Sequence, residues 1–274
     1  MSNLYIVATP IGNLDDITIR AKKILQNVEI IIAENTYNSK KLLRNINSNA
    51  RIIQYNDHSK KKDIEYILDI LNNNDIALIT DAGTPGVCDP GALIVKISKK
   101  YNHKIIPIPG PSSIVAAFSV SGISSNEFQF IGFLPKKQKA RQDKILEIKN
   151  STIPTVMFES PHRFNQTIID IKKIMPNREI FIAKEITKIF ETLIHGNAEK
   201  IQSIFSKENI KGEFVIIING DKKKKNNTTK NNDIEKILKT MKRENISGKI
   251  ASKIVSENFN ISKSSAYKLF LDLP

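Results

Sequence analysis

Five short runs of branched apolar residues, separated by four stretches of helical period, fill the first 110 residues. The runs are LYIVAT (4–9), EIIIAE (29–34), RIIQY (51–55), IALITD (76–81) and KIIPIPG (104–110). Between them lie DITIRAKKILQ (16–26), SKKLLRNI (39–46), KKDIEYILDILNN (61–73) and PGALIVKISKKY (90–101). Strands that are apolar throughout, each followed by a helix, bury both faces only in a mostly parallel sheet covered on its two sides. The spacing therefore predicts an α/β fold, with Asp15 or Asp16 capping the first helix.

GPSSIVAAFSVSG (110–122) opens a further helix rich in small residues, with Ser112 or Ser113 at its start. Beyond it the pattern changes. FQFIGFLP (128–135), PTVMFES (154–160), EIFIAKEIT (179–187) and EFVIIING (213–220) read as four longer strands, alternating with helices at 139–149, 163–175 and 197–205. A second, mixed α/β domain is predicted, which divides the body into residues 1–115 and 116–220. The segment DKKKKNNTTKNND (221–233) has no apolar residue and reads as a linker. Residues 234–274 carry Ile234, Ile237, Leu238 and Met241 at helical spacing, then SGKIASKIVSENF and SKSSAYKLFLDL. That is a small three-helix domain with a helix-turn-helix rhythm.

With 274 residues and 40% apolar content the chain is long enough for real cores. Its single cysteine, Cys88, excludes a disulfide framework and points to a reducing compartment. The N-terminus lacks a signal-peptide pattern and no apolar run approaches a membrane span, so a cytoplasmic location without membrane attachment is expected. The formal net charge of +14 invites a polyanion partner, but 35 of the 42 basic residues are Lys and only 7 are Arg. Such a bias resembles AT-rich coding, so the charge alone does not identify nucleic acid. The tail from residue 228 onward carries 9 basic and 5 acidic residues, a net of +4.

Chemistry-bearing residues gather at strand ends. TDAGTPGVCDPG (80–91) follows the apolar IALI and is dense in Gly and Pro. As a metal site it is poor, because no His is nearby and a stiff turn separates Asp81 from Asp89; no metal is expected. It lies instead where parallel sheets bind ligands, with glycines that admit a ligand to the backbone. ATPIGNLDD (8–16) has one glycine where a dinucleotide fingerprint needs three, and no P-loop occurs. PIPGPSS (107–113) opens a helix whose N–H groups suit a carboxylate or a ribose, or serves as an interdomain connector. FESPHRF (158–164) brings together Glu159, His162 and Arg163; AKEITK (183–188) presents Lys184, Glu185 and Lys188. For both, simple ion pairing is the alternative to catalysis.

LYIVATPIGNLDDIT, AENT, TDAGTPGVCDPG, PIPGPSS, GFLP, FESPHR, AKEITK and KGE occur here in one order. The ordered set resembles the ribosomal RNA small subunit methyltransferase I family of the tetrapyrrole methylase superfamily, over residues 4–220 and again in the tail. The resemblance implies a two-domain tetrapyrrole-methylase-like fold and a homodimer, with S-adenosylmethionine in the cleft between domains. It implies methyl transfer to the ribose 2′-hydroxyl of a cytidine in 16S rRNA, as naked rRNA or within the 30S subunit. On matching positions the cofactor would meet Pro10, Asp81, Gly83, Thr84, Ser113, Ile114, Phe158, Ala183 and Gly212. Glu159 and Glu185, with Glu34, are the candidate bases for the ribose hydroxyl, and Lys184 and Arg163 the candidates for orienting a phosphate or lowering its pKa. Relatives read AEDT where this chain has AENT, so Asn35 stays outside the catalytic set. The basic tail would grip RNA phosphates. Two rivals remain: a porphyrinoid C-methyltransferase, disfavoured by ATPIG and the basic tail, and a non-catalytic nucleic-acid-binding ligand sensor.

Overall fold

The computed structural model describes residues 2–56, 59–205, 210–221, 228–259 and 261–273, with the backbone alone for 228–233. Residues 1–220 form one compact unit and 221–274 another.

The first sheet consists of β1 (Asn3–Val7), β2 (Ile30–Ala33), β3 (Arg51–Gln54), β4 (Ile76–Ile79) and β5 (Lys104–Ile108). Every pairing is parallel, in the order β3-β2-β4-β1-β5. Both faces are covered, as the unbroken apolar runs require. Helices α1 (Ile19–Asn27) and α2 (Thr36–Asn45) bury Ala21, Leu25, Leu42 and Leu43 on one side. Helices α3 (Lys61–Asn73) and α4 (Ala92–Lys100) bury Ile64, Ile67, Leu71 and Ile94 on the other.

Two of the helix starts that differ from the sequence expectation do so for a capping reason. Asp15 and Asp16 belong to a 3₁₀ turn (Leu14–Asp16) begun by Asn13, while Thr18 Oγ1 accepts the Ala21 N–H and caps α1. Helix α2 begins three residues earlier than expected because Asn35 Oδ1 accepts the Tyr37 N–H at 2.9 Å. Asn and Asp serve equally well at an N-cap, so the Asn of AENT keeps the backbone role of an Asp there.

Helix α5 (Ser113–Val120) leads into the second sheet, which contains β6 (Gln129–Phe133), β7 (Thr155–Glu159), β8 (Ile180–Lys184), β9 (Thr192–Gly196) and β10 (Phe214–Ile218). Its order is β6-β7-β10-β8-β9; β6 runs parallel to β7 and the other pairs are antiparallel. The fifth strand, β9, was not legible in the sequence. It is an edge strand that buries only Ile194, so it lacks an apolar run. Helices α6 (Gln138–Asn150), α7 (Pro161–Ile174) and α8 (Ala198–Phe205) cover one face. The other face carries Val156, Phe181, Ala183, Val215 and Ile217 and packs on Ile114 and Ala117 of α5.

Residues 221–274 contain α9 (Thr228–Arg243), α10 (Gly248–Asn258) and α11 (Lys263–Asp272) around Ile234, Leu238, Ala251, Val255, Ala266 and Phe270. Of the expected linker, residues 222–227 lie outside the described residues and 228–233 begin α9; that stretch holds no Gly or Pro to prevent a helix. Among the described residues no helix is long and apolar enough to cross a membrane.

Helices α6 and α7 are joined by a buried ion pair. Arg141 Nε donates to Asp170 Oδ2 at 2.8 Å, with side-chain exposures of 6% and 0%. Gln142 Nε2 donates to the other oxygen at 3.0 Å. Burial alone raises the Asp170 carboxyl, but the bonds from Gln142 and Arg141 and the guanidinium charge outweigh it and hold the group below the usual carboxylate range. A carboxylate depressed in the folded state binds fewer protons there than when unfolded. Its contribution is therefore complete above about pH 4 and is lost as pH falls through the folded value. Arg141→Met is expected to lower the unfolding free energy by about 3–5 kcal/mol at neutral pH, because it strands a buried charge. Urea unfolding checks this, and below about pH 4 Asp170→Asn should lose less stability with falling pH than the natural chain does.

Candidate functional site

Three loops leave the carboxyl ends of the adjacent strands β4, β1 and β5, and they bind one another before any ligand is considered. The Thr9 N–H donates to the Gly83 carbonyl at 2.9 Å and the Gly83 N–H to the Thr9 carbonyl at 3.1 Å, forming a single antiparallel bridge. The Thr9 hydroxyl, buried, donates to the Thr80 carbonyl. Ala8 N donates to Ile108 O at 3.2 Å, which ties in the third loop. Residues 80–91 turn back on themselves through four left-handed residues, Gly83, Gly86, Cys88 and Gly91. That need accounts for the glycines; Cys88, with φ +63°, takes the same conformation without being one.

The second sheet closes the opposite side. Phe158 of β7, Val215 of β10 and Ile186, just past β8, line a cleft of ≈ 330 Å³ together with Ile11, Gly83, Thr84 and Ile114. Beside it the backbone approaches a neighbour closely at two glycines. A Cβ on Gly12 would lie 2.5 Å from Lys188 Cγ and 2.7 Å from Thr187 Oγ1. A Cβ on Gly132, which has φ +64°, would lie 2.9 Å from Cys88 Sγ. At neither place does a larger residue fit without shifting a neighbour.

Of the sequence-predicted cofactor residues, Gly83, Thr84, Ser113, Ile114 and Phe158 line the cleft. Pro10 lies between Thr9 and the lining residue Ile11. Asp81 is exposed and accepts from Asn38 Nδ2 at 2.7 Å. Ala183 is buried in β8 beside Val215, on the same face of the sheet. Gly212 has φ +96°, and a Cβ there would fall 2.6 Å from Glu185 Cγ.

Of the four candidate catalytic residues, Glu159 alone lines the cleft. It is 2% exposed, and its carboxylate is held on both sides. Oε2 accepts from the Thr167 hydroxyl at 2.6 Å and Oε1 from the Ser160 N–H at 2.9 Å, with Arg163 Nε 3.4 Å from Oε1. Arg163 turns its Nη2 to the Leu134 and Pro135 carbonyls, at 2.6 and 3.3 Å. Glu185 Oε1 accepts from Lys188 Nζ and from the Glu213 N–H, each at 2.9 Å, and Lys188 also reaches Glu213 Oε2 at 2.9 Å. Burial alone raises the Glu185 carboxyl and lowers the Lys188 ammonium. Their mutual bond, the Glu213 contacts and nearby charge reverse both, leaving Glu185 below and Lys188 above the ordinary range. Lys184 points away from the cleft, its Nζ 5.7 Å from the centre of the Phe205 ring.

The sequence reading missed Ile11, Cys88, Phe133, Ile186 and Glu213 in the walls. For Ile186 and Glu213 the signal was present, since they stand inside or beside the motifs AKEITK and KGE. Cys88 and Phe133 enter only through backbone geometry: a left-handed residue in one case, and a register shift in β6 between Phe130 and Phe133 in the other. The cleft joins apolar walls to polar groups at the start of α5, Ser112 and Ser113, and to Asp89 and Glu159. Such a mixture, at the small end of ligand-site volumes, fits S-adenosylmethionine, which combines a flat base, a ribose and a zwitterionic tail. Among the described residues no group of His, Cys, Asp and Glu is placed to hold a metal.

The chain is similar over most of its length to proteins of known family. The profile of the tetrapyrrole (corrin/porphyrin) methylases matches residues 3–202. A ribosomal RNA small subunit methyltransferase I from Vibrio cholerae is 37% identical, over 98% of this chain and 94% of its own. The protein of the same name from Buchnera aphidicola is 41% identical, over 97% and 94%. Among solved structures, uroporphyrin-III C-methyl transferase from Thermus thermophilus, complexed with S-adenyl homocysteine, superposes with a TM-score of 0.57 at 13% identity, over 80% of this chain and 97% of that one. The chain belongs to the tetrapyrrole methylase family and, within it, to the ribosomal RNA small subunit methyltransferases I.

Proposed function

We propose that the chain is a methyltransferase that uses S-adenosylmethionine to methylate the ribose 2′-hydroxyl of a cytidine in small-subunit ribosomal RNA. The observation that carries this reading is the full-length likeness to relatives of that name, tail included, combined with a cleft of fitting chemistry. The experiment is transfer of labelled methyl from S-adenosylmethionine to small ribosomal subunits, followed by digestion to nucleosides; label in 2′-O-methylcytidine is the expected result.

Bound S-adenosylmethionine supplies an electrophilic methyl on a sulfonium, open to in-line displacement by an oxygen. What the protein adds is position and electrostatics. In this reading the backbone of Gly83 and Thr84, the start of α5 at Ser113 and Ile114, and the Phe158 face hold the cofactor. Pro10, Asp81, Ala183 and Gly212 complete the set that this reading gives the cofactor. Glu159 is the one candidate base whose residue lines the cleft. It is fixed by Thr167 and Ser160, yet a carboxylate has about four lone-pair directions and keeps capacity to receive the ribose proton. Arg163 positions Glu159, and Glu185 positions the rim through Lys188 and Glu213. Lys184 lies on the far face of the sheet and serves the fold there.

The reading further includes lobes at 1–115 and 116–220, a Lys/Asn-rich linker at 221–233 and an RNA-gripping tail at 234–274. It also takes the active form as a cytoplasmic homodimer acting on the 30S subunit or its rRNA. Exposed lysines on α10 and α11, Lys249, Lys253, Lys263 and Lys268, support the tail's part. They suit phosphate contacts, which position without reading sequence.

Glu159→Gln is expected to lower kcat about 10²–10⁴-fold while the calorimetric affinity for S-adenosylmethionine stays near that of the natural chain. Unchanged turnover would remove Glu159 as the base. Deleting residues 221–274 is expected to weaken rRNA binding and flatten its salt dependence, with cofactor affinity intact. Equal RNA affinity in a filter-binding titration would assign the tail another task.

A further inference from the structure

Residues 133–139, FLPKKQK, run from the cleft wall to the surface, and their conformation is imposed from inside. Three successive carbonyls are gripped by two arginines: Arg163 takes those of Leu134 and Pro135, and Arg141 Nη1 takes that of Lys136 at 3.3 Å. Each arginine is anchored in turn, on Glu159 and on Asp170. Just before the segment, β6 shifts register and Gly132 turns left-handed, the kind of irregularity that re-aims a side chain beside a functional site.

What this framework presents is a flat ring and a row of cations. Phe133 lines the cleft but is 54% exposed, and its ring leans on Phe158 with centroids 5.6 Å apart. Lys136, Lys137 and Lys139 are exposed, and no acidic residue stands between Phe133 and Gln142. An exposed aromatic beside a basic track is the arrangement by which proteins hold unpaired nucleotides: the base stacks and the phosphates find the cations. A partner protein without an acidic surface would explain the ring but not the lysines.

We propose that residues 133–139 are the RNA-entry platform of the cleft. Phe133 stacks on the base of the nucleotide whose ribose is methylated, and Lys136, Lys137 and Lys139 hold the flanking phosphates. The platform rests on the reading of the chain as an RNA methyltransferase. It gives Arg163 and Arg141 a shared task, since the two fix the backbone from which ring and lysines project.

The test compares the natural full-length chain with Phe133→Ala, Phe133→Trp and the triple variant Lys136→Gln, Lys137→Gln, Lys139→Gln. The probe is a small-subunit rRNA transcript, read by fluorescence anisotropy, with S-adenosylmethionine affinity measured separately by calorimetry. Phe133→Ala is expected to weaken RNA binding roughly 5- to 150-fold while Phe133→Trp retains it, with cofactor affinity unchanged in both. The triple variant should reduce the slope of log K against log salt by about 2. RNA affinity unchanged in Phe133→Ala would overturn the proposal. So would a matching loss of cofactor affinity, which makes the ring a cofactor wall, or a change in oligomeric mass, which makes it a contact between copies. None of these readouts needs methyl transfer. A natural chain that binds RNA through Phe133 yet transfers nothing would support the platform and defeat the proposed reaction instead.

Discussion

At two places the lobes of the body meet where no Cβ fits: Gly12 against Lys188 and Thr187, and Gly132 against the sulfur of Cys88. Those contacts bring the loops after β1 and β4 against the loop after β8 and against β6. A wider gap would let water between Ile11, Ile114, Phe158 and Val215, and a cofactor would lose one of its walls. Interiors are close-packed, so an added methyl group at either glycine displaces the side chain it meets, Lys188 and Thr187 in one case and Cys88 in the other.

The polar groups around the cleft serve mainly to fix this geometry. Glu159 is tied to Thr167 and Ser160, Arg163 to two carbonyls, and Lys188 to Glu185 and Glu213. Displacement at a methyl group needs three atoms held in line more than it needs many catalytic side chains. A site built from locked polar pairs and backbone turns suits that demand. It also explains why a charged motif residue such as Lys184 sits away from the cleft while its neighbour Ala183 supports the wall.

Much of this was readable from the residues. The five apolar runs before residue 110 announced a parallel sheet because strands buried on both faces cannot alternate polar and apolar positions. The strand-end position of TDAGTPGVCDPG pointed to a ligand loop before any atom was placed. What escaped depended on tertiary partners. Strand β9 buries one side chain and so carries no pattern of its own, and Asp15 and Asp16 yielded the cap to Thr18 because a 3₁₀ turn intervenes. Phe133 and Cys88 reach the cleft through a register shift and a left-handed residue, which composition does not encode. Which face of β8 a motif residue occupies was likewise undecided until the sheet was assembled.

The central claim is that the fit of the two lobes creates the cofactor site. Titration calorimetry with S-adenosylmethionine, on the natural chain and on Gly12→Val, tests it most directly. The account predicts saturable one-to-one binding to the natural chain and a loss of at least about tenfold in the variant, whose circular dichroism stays that of a folded α/β protein. Equal affinity in the two chains, or no binding by the natural one, would contradict it.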